Sequence, residues 1–394
     1  MKNLYSNITN RQLFLYFALI CPAIKMFILP ASFTYYAGND GYLGVIFQCV
    51  VDLLVFLSIY YFIKNANANF FDTLSSILSK PVAKFIYFFY AIFFAIKCFI
   101  PLFESILLCH EVLYESSHSF MYFIPIFLVL FYASLTGFNG LFRVVEIVYP
   151  FVLIASFGLA FLSFPSANFE NLLPVMQFGA NPILLSVGRH LGWFGDFAVL
   201  LLLTDNVDLK EKGANKIILG YALGCFSIIL FFVYAIAIFG ATTNTQLFML
   251  SKISKYSVVF SDLGRSDFIF IAILFLATML YCLIACSFSV KCLHVIFKLD
   301  AKLLALIVVG TLLIGSMLFV HKPFSILSFI EDYSLYIFLP LQYILPLLLP
   351  IFLAIGKDKR KGKLGNAIGK DNKEIKTQRE IKTLSLEGKK EACK

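Results

Sequence analysis

The sequence has little charge. Asp, Glu, Lys and Arg make up 14% of its 394 residues, against 60% hydrophobic residues, where a soluble domain carries roughly a quarter charged residues. No water-facing surface can be built from that composition, so the solvent is a bilayer. Sustained apolar–polar alternation is also missing, which excludes a β-barrel and leaves helices as the way to bury the continuous apolar runs. The polar stretch Met1 to Arg11 is not followed by a small-residue cleavage site, so the first apolar run is expected to stay in the mature chain. A nucleophile–base arrangement, a phosphate-binding glycine loop and paired catalytic carboxylates are all lacking. An enzyme has no residues to stand on, and no cofactor is expected. Of nine cysteines, Cys282 and Cys286 lie four apart, but no second Cys/His pair at zinc spacing accompanies them, so no metal site is expected. Almost none of the cysteines falls in an outside loop, which argues against a disulfide framework.

What the chain does have is apolar spans, about ten of them, each near the length of roughly twenty residues that crosses the hydrocarbon core. They lie at 12–33, 41–63, 83–110, 120–137, 142–164, 182–204, 215–240, 266–297, 301–320 and 333–355. Thr9-Asn10-Arg11-Gln12 has the form of a capping box and predicts a helix start. One side of the membrane collects Lys2, Arg11, Lys64, Lys80, Lys84, Arg143, Lys210, Lys212, Lys216, Lys291, Lys298 and Lys302, and the other only Lys252, Lys255, Arg265 and Lys322. The richer side is cytoplasmic, so both termini are expected there, in keeping with an even number of spans. The net charge of +9 sits mostly after Gly356, where 357–394 holds thirteen Lys or Arg and six acids. That tail has too few large apolar residues for a core; its basic start, Lys357 to Lys361, suits a topology anchor touching anionic lipid rather than nucleic acid. The domain division expected is therefore 1–356 in the membrane and 357–394 as a disordered cytoplasmic tail. The outside loops Ser163 to Pro182 and Ala241 to Arg265 are long enough for short interfacial helices.

Two spans are interrupted at matching places. The first reads Cys21-Pro22-Ala23-Ile24-Lys25, and the sixth Val187-Gly188-Arg189-His190-Leu191-Gly192-Trp193-Phe194-Gly195-Asp196. Each opens a block of about five spans, the arrangement that points to the substrate site of an inverted-repeat transporter. A break at membrane depth releases backbone N–H and C=O groups, which is tolerated only around a buried polar cavity. Half-helix N-termini then attract a carboxylate, and released carbonyls a cation or ammonium. The same glycines also fit close helix packing, since Gly188-x-x-x-Gly192 is a small-xxx-small pattern. Ionisable residues at depth are costly and must pair or face a wet cavity; here they are Lys25, Asp52, Lys97, Glu104, Arg189, His190 and Asp196. Lys97 and Glu104 are two helical turns apart on one face, either a structural ion pair or part of a site. Asp52 reads as a helix–helix hydrogen bond and His190 as a satisfied interior imidazole.

Further local patterns are Phe103-Glu104, Gly137-Phe138-Asn139-Gly140-Leu141-Phe142-Arg143 followed by Pro150-Phe151, Asn171-Leu172-Leu173-Pro174-Val175, Phe194-Gly195 and Asp332-Tyr333. In order and spacing, over 8–356, the chain resembles the endospore germination permeases, the B subunits of nutrient germinant receptors, within the amino acid–polyamine–organocation transporter superfamily. The resemblance implies an all-α membrane protein of ten transmembrane helices. They would form two inverted five-helix repeats, 12–164 and 182–355, with helices 1 and 6 broken as in the leucine-transporter-like fold. It implies a receptor subunit in the inner membrane of a spore-forming bacterium, binding a small-molecule germinant, most readily an amino acid, and triggering germination with a membrane A subunit and a lipoprotein C subunit. The ligand would be lined by Ala23, Ile24 and Lys25, by Phe103 and Glu104, by Gly188, Arg189, Gly192, Trp193 and Gly195, and by Tyr281, with Lys97 and Asp196 as charge partners. Arg189 would hold a carboxylate and Glu104 an ammonium. The family's first break is Gly-x-Gly-like before a Leu-Pro; this chain keeps Leu29-Pro30 but carries Lys25, a fixed cation able to stand in for a bound cation or to pair with Glu104. An amino acid/proton symporter of the cell membrane, or a scaffold that binds nothing, would use the same fold.

Overall fold

The computed structural model describes residues 8–66, 69–109, 120–205, 207, 211–255, 267–320 and 322–354. Among these the regular structure is entirely helical. The first block contains α1 (Asn10–Leu15), α2 (Cys21–Ala23), α3 (Leu29–Ala37), α4 (Gly41–Asn65), α5 (Phe70–Ile77), α6 (Lys80–Leu108), α7 (Phe120–Thr136) and α8 (Phe138–Ser163). The second contains α9 (Ala180–Arg189), α10 (Ala198–Leu202), α11 (Glu211–Phe239), α12 (Met249–Lys255), α13 (Asp267–Phe297), α14 (Ala301–Phe319), α15 (Pro323–Asp332) and α16 (Ser334–Leu339). The basic tail 357–394, together with Lys2, Lys210 and Arg265, lies outside the described residues.

Among the described residues, seven helical stretches are long and apolar enough to cross a membrane: Leu29–Asn65, Lys80–Leu108, Phe138–Ser166, Gly213–Thr245, Phe268–Phe297, Ala301–Phe319 and Ser334–Ala354. The ten expected spans differ from these for physical reasons. The first and sixth are split into pieces too short to count, the second half of the first runs on through a 3-10 turn at Gly38–Asp40 into α4, and Phe123–Thr136 is shorter than the rest. Their outward faces are apolar, as Phe161, Leu318 and Tyr336 illustrate at 81%, 70% and 78% exposure. Those faces fit lipid and would not survive in water.

Helix α1 starts where the capping box predicts. The Thr9 hydroxyl accepts from Gln12 N–H and the Gln12 side chain accepts from Thr9 N–H. Gln12 also reaches Glu146 of α8, which anchors the entry of the first span. At the centre, α6 and α13 pack along each other and α8 and α11 close around the α1 end of the first span. The connection after α8 has two short 3-10 turns, Phe164–Ser166 and Phe169–Leu172, and the one after α11 a 3-10 turn and α12, so both loops expected on the outside are partly helical. Asn171 ties the first of them to the Gly38–Asp40 turn and to α11: its carbonyl accepts from Asn39 and its amide donates to Ala237 O. The described cysteines are buried free thiols.

Candidate binding site at the two helix breaks

Both interruptions come from proline and glycine chemistry. Pro22 has no N–H for the carbonyl of Ala18, and the turn ahead of it widens into a π-turn, Tyr16–Ile20, closed by Cys21 N–H on Tyr16 O. The same device precedes Pro346, where Pro340–Ile344 is a π-turn closed by Leu345 N–H. The helix therefore survives Pro22 and ends at Ala23, with Lys25 N–H on Pro22 O and Met26 N–H on Ala23 O as the last tight turns. It resumes at Leu29 with Pro30 in the first turn, where a missing N–H breaks no helical hydrogen bond. The first break thus spans Ile24 to Ile28, overlapping the Cys21–Lys25 stretch expected from sequence at Ile24 and Lys25 and running three residues further.

In the second break α9 stops at Arg189, a 3-10 turn covers Leu191–Trp193, and Phe194 is extended before α10 restarts at Ala198. Gly195 has φ +77°, and a Cβ there would lie 1.9 Å from Gln342 Cδ. A Cβ on Gly192 would meet the Phe338 ring at 2.7 Å. The last span presses into the break at both positions.

Side chains take up the backbone groups released there. Phe194 O accepts from Lys97 Nζ, Gly195 N–H donates to Asp52 Oδ2 at 2.9 Å, and Leu191 O accepts from Gln342 Nε2 at 3.0 Å. Asp52 accepts further from Tyr221 at 3.1 Å and from Tyr343 at 2.8 Å, so it joins α4, α11 and the last span to the break. Gln48 and Gln342 both donate to the Tyr343 hydroxyl. Lys25 Nζ bridges the two breaks: it lies 2.6 Å from Asp196 Oδ2 and 3.2 Å from Cys21 O. Tyr281 reaches Asp196 Oδ1 at 3.5 Å and stacks on Tyr16. Lys25, Lys97, Asp52 and Asp196 are each at most 3% exposed. Desolvation costs several kcal/mol per buried ion; Lys25 and Asp196 offset it by pairing with each other, Asp52 by its three hydrogen bonds.

A family model described as spore germination protein matches residues 7–325, a stretch that contains both breaks and the Lys25–Asp196 bridge. The chain belongs to the spore germination permease family. Together with its apolar spans, this makes it a multi-pass membrane protein. No curated protein matches the chain.

The expected site residues of this permease divide into two groups. Lys25, Lys97, Asp196, Gly192, Gly195 and Tyr281 converge on the breaks, Ala23 and Ile24 form the edge of the first break, and Trp193 is buried in the second. Phe103 is buried in α6, stacked on Phe99. Glu104 is buried and pairs with neither lysine; neither of its carboxylate oxygens has a partner. The reason lies in helix geometry: the Lys97 chain leans back toward the N-terminal side, over Phe93, and so away from Glu104. Gly188 stays helical in α9 and faces Leu335.

Arg189 belongs elsewhere. Its guanidinium pairs with Asp332, accepts the Tyr36 ring as a stacking surface and donates to the Tyr36 hydroxyl at 3.1 Å. His190 lies beside it, with Nδ1 on Ser186 O at 2.6 Å and Nε2 at 3.5 Å from Glu331, an ion-pair distance without a formed hydrogen bond. Ser32 donates to the same Glu331 oxygen at 2.8 Å. Burial alone would raise the Glu331 carboxyl, but His190, Ser32 and Arg189 outweigh it and hold it below the ordinary carboxylate value. A second polar layer therefore joins α3, α9 and α15 on one side of the breaks. Sequence reasoning missed Gln48, Tyr221, Phe338, Gln342 and Tyr343. Gln342 had left a sign, as an amide inside an apolar run between Pro340 and Pro346.

Proposed function

We propose that this permease is the B subunit of a germinant receptor, binding a small nutrient, an amino acid in the first instance, between its two helix breaks. The observation that carries the reading is the Lys25–Asp196 bridge, a buried ion pair linking the broken part of one span to that of another, 171 residues away. In this reading the helices are ten, in two inverted repeats over 12–164 and 182–355, with both termini cytoplasmic and the protein in the spore inner membrane. Lys25 stands where a bound cation or a ligand amine would otherwise meet a released carbonyl, Cys21 O, so ligand binding needs no sodium. A ligand that binds one arrangement of the breaks better than another shifts their equilibrium by that difference in affinity. The A subunit and the lipoprotein C subunit read the shift as the signal to germinate.

A symporter reading has one observation in its favour, the buried and unpartnered Glu104, a place for a transported proton. Proteoliposomes containing only this chain separate the two. As a receptor subunit it shows nutrient-induced thermal stabilisation, unchanged when sodium is replaced by choline, and no net uptake of labelled amino acids. Net uptake would establish the symporter, and no stabilisation by any nutrient would leave a scaffold.

A further inference from the structure

At the breaks Lys97 carries hydrogen-bond donors that the protein itself does not fill. An ammonium has three N–H donors; Lys25 places donors on both Asp196 and Cys21 O, whereas Lys97 makes one hydrogen bond, to Phe194 O. Among the described residues no carboxylate forms an ion pair with Lys97. Asp196 is already held by Lys25 at 2.6 Å, and Asp52 accepts three other donors. The rest of the Lys97 surroundings are the rings of Phe93 and Phe338, centred 5.7 and 5.9 Å from Nζ. Aromatic faces attract a cation but do not replace an anion. At 3% exposure the group is out of reach of bulk solvent, and a buried ion is stable only when paired and hydrogen-bonded.

We infer that Lys97 is the anion-recognition residue of this permease: a small carboxylate-bearing ligand enters the second break and places its carboxylate on Lys97 Nζ. The inference rests on the reading that the breaks enclose a ligand. It moves the carboxylate contact from Arg189, which is engaged by Asp332 and Tyr36 on the outer layer, to the ammonium beside Phe194. It also sets the ligand class. A ligand offering only hydroxyl groups gives Lys97 neutral acceptors, whereas a carboxylate gives the two unused donors the shorter and stronger charge-assisted bonds.

The chain has one tryptophan, Trp193, next to Phe194, so its emission reports on this break without labelling. The test uses the full chain in lipid nanodiscs, read by Trp193 emission and thermal unfolding, against the twenty L-amino acids, their carboxamides, glucose and adenosine. At least one amino acid binds, its carboxamide binds about tenfold more weakly or worse, Lys97→Met abolishes that preference and Lys97→Arg keeps it. Equal binding of acid and amide, or binding of glucose or adenosine alone, overturns the Lys97 assignment while leaving a ligand site between the breaks. Silence from every probe removes both. Should Lys97→Met fail to fold, the comparison of acid with amide in the unsubstituted chain still decides.

Discussion

At the scale of single residues, the buried lysines of the site answer released backbone as well as carboxylates. Lys25, Lys97 and Lys291 each donate to a carbonyl at or beside a broken span, on Cys21, Phe194 and Leu202. A long cation suits this task because its stem crosses apolar packing while its head finds oxygen. Lys25 has a carboxylate at 2.6 Å as well, and removing that partner leaves a buried ammonium uncompensated. Asp196→Asn is therefore expected to cost about 3–5 kcal/mol, seen as a lower thermal unfolding midpoint in nanodiscs. Adding Lys25→Met to it restores most of the loss, since the two changes act on one interaction. An Asp196→Asn protein as stable as the parent would mean the bridge is not formed.

At the scale of elements, two kinds of sequence signal behave differently. The capping box at Thr9 is local, so it is readable in the sequence and lies where expected. The sequence places Pro22 within the first break, Cys21–Lys25, yet the helix absorbs it through a π-turn and unwinds only after Ala23. The choice depends on what the neighbouring helices offer to the unpaired groups, which no window of sequence contains. The three glycines of the sixth span show the same division. Gly195 needs a positive φ and Gly192 lies under an aromatic ring, whereas Gly188 has an ordinary contact 3.5 Å away. Alanine is expected to be ranked accordingly. Gly195→Ala costs at least about 2–3 kcal/mol from strain and collision, Gly192→Ala about 1–2 kcal/mol while the Phe338 ring shifts, and Gly188→Ala nothing or a small gain. Thermal unfolding of the three variants checks the order, and a Gly188→Ala loss matching that of Gly195→Ala would contradict it.

At the scale of the whole molecule, the asymmetry of basic residues predicts which loops face the cytoplasm. Lys298, exposed after α13, belongs to the basic side, and Thr242, exposed after α11, to the other. With Cys393 replaced, so that the described cysteines are all buried, Thr242→Cys should react in intact cells with a membrane-impermeant maleimide. Lys298→Cys should react only after lysis. The reverse pattern would invert the orientation and place the Arg189–Asp332 layer on the cytoplasmic face.

The sequence by itself determined the solvent, the helical class, the family and the two places where spans are interrupted. Composition, apolar run length and proline or glycine at depth are properties of adjacent residues. It also identified most of the charges that end up buried. The partners of those charges were decided by tertiary structure alone. Whether Lys97 meets Glu104, seven positions along the same helix, or Phe194, nearly a hundred residues on, depends on how helical side chains lean and on which span lies opposite. The amide of Gln342 and the hydroxyl of Tyr343 enter the site for the same reason: the last span is pressed into a gap that only glycine leaves open.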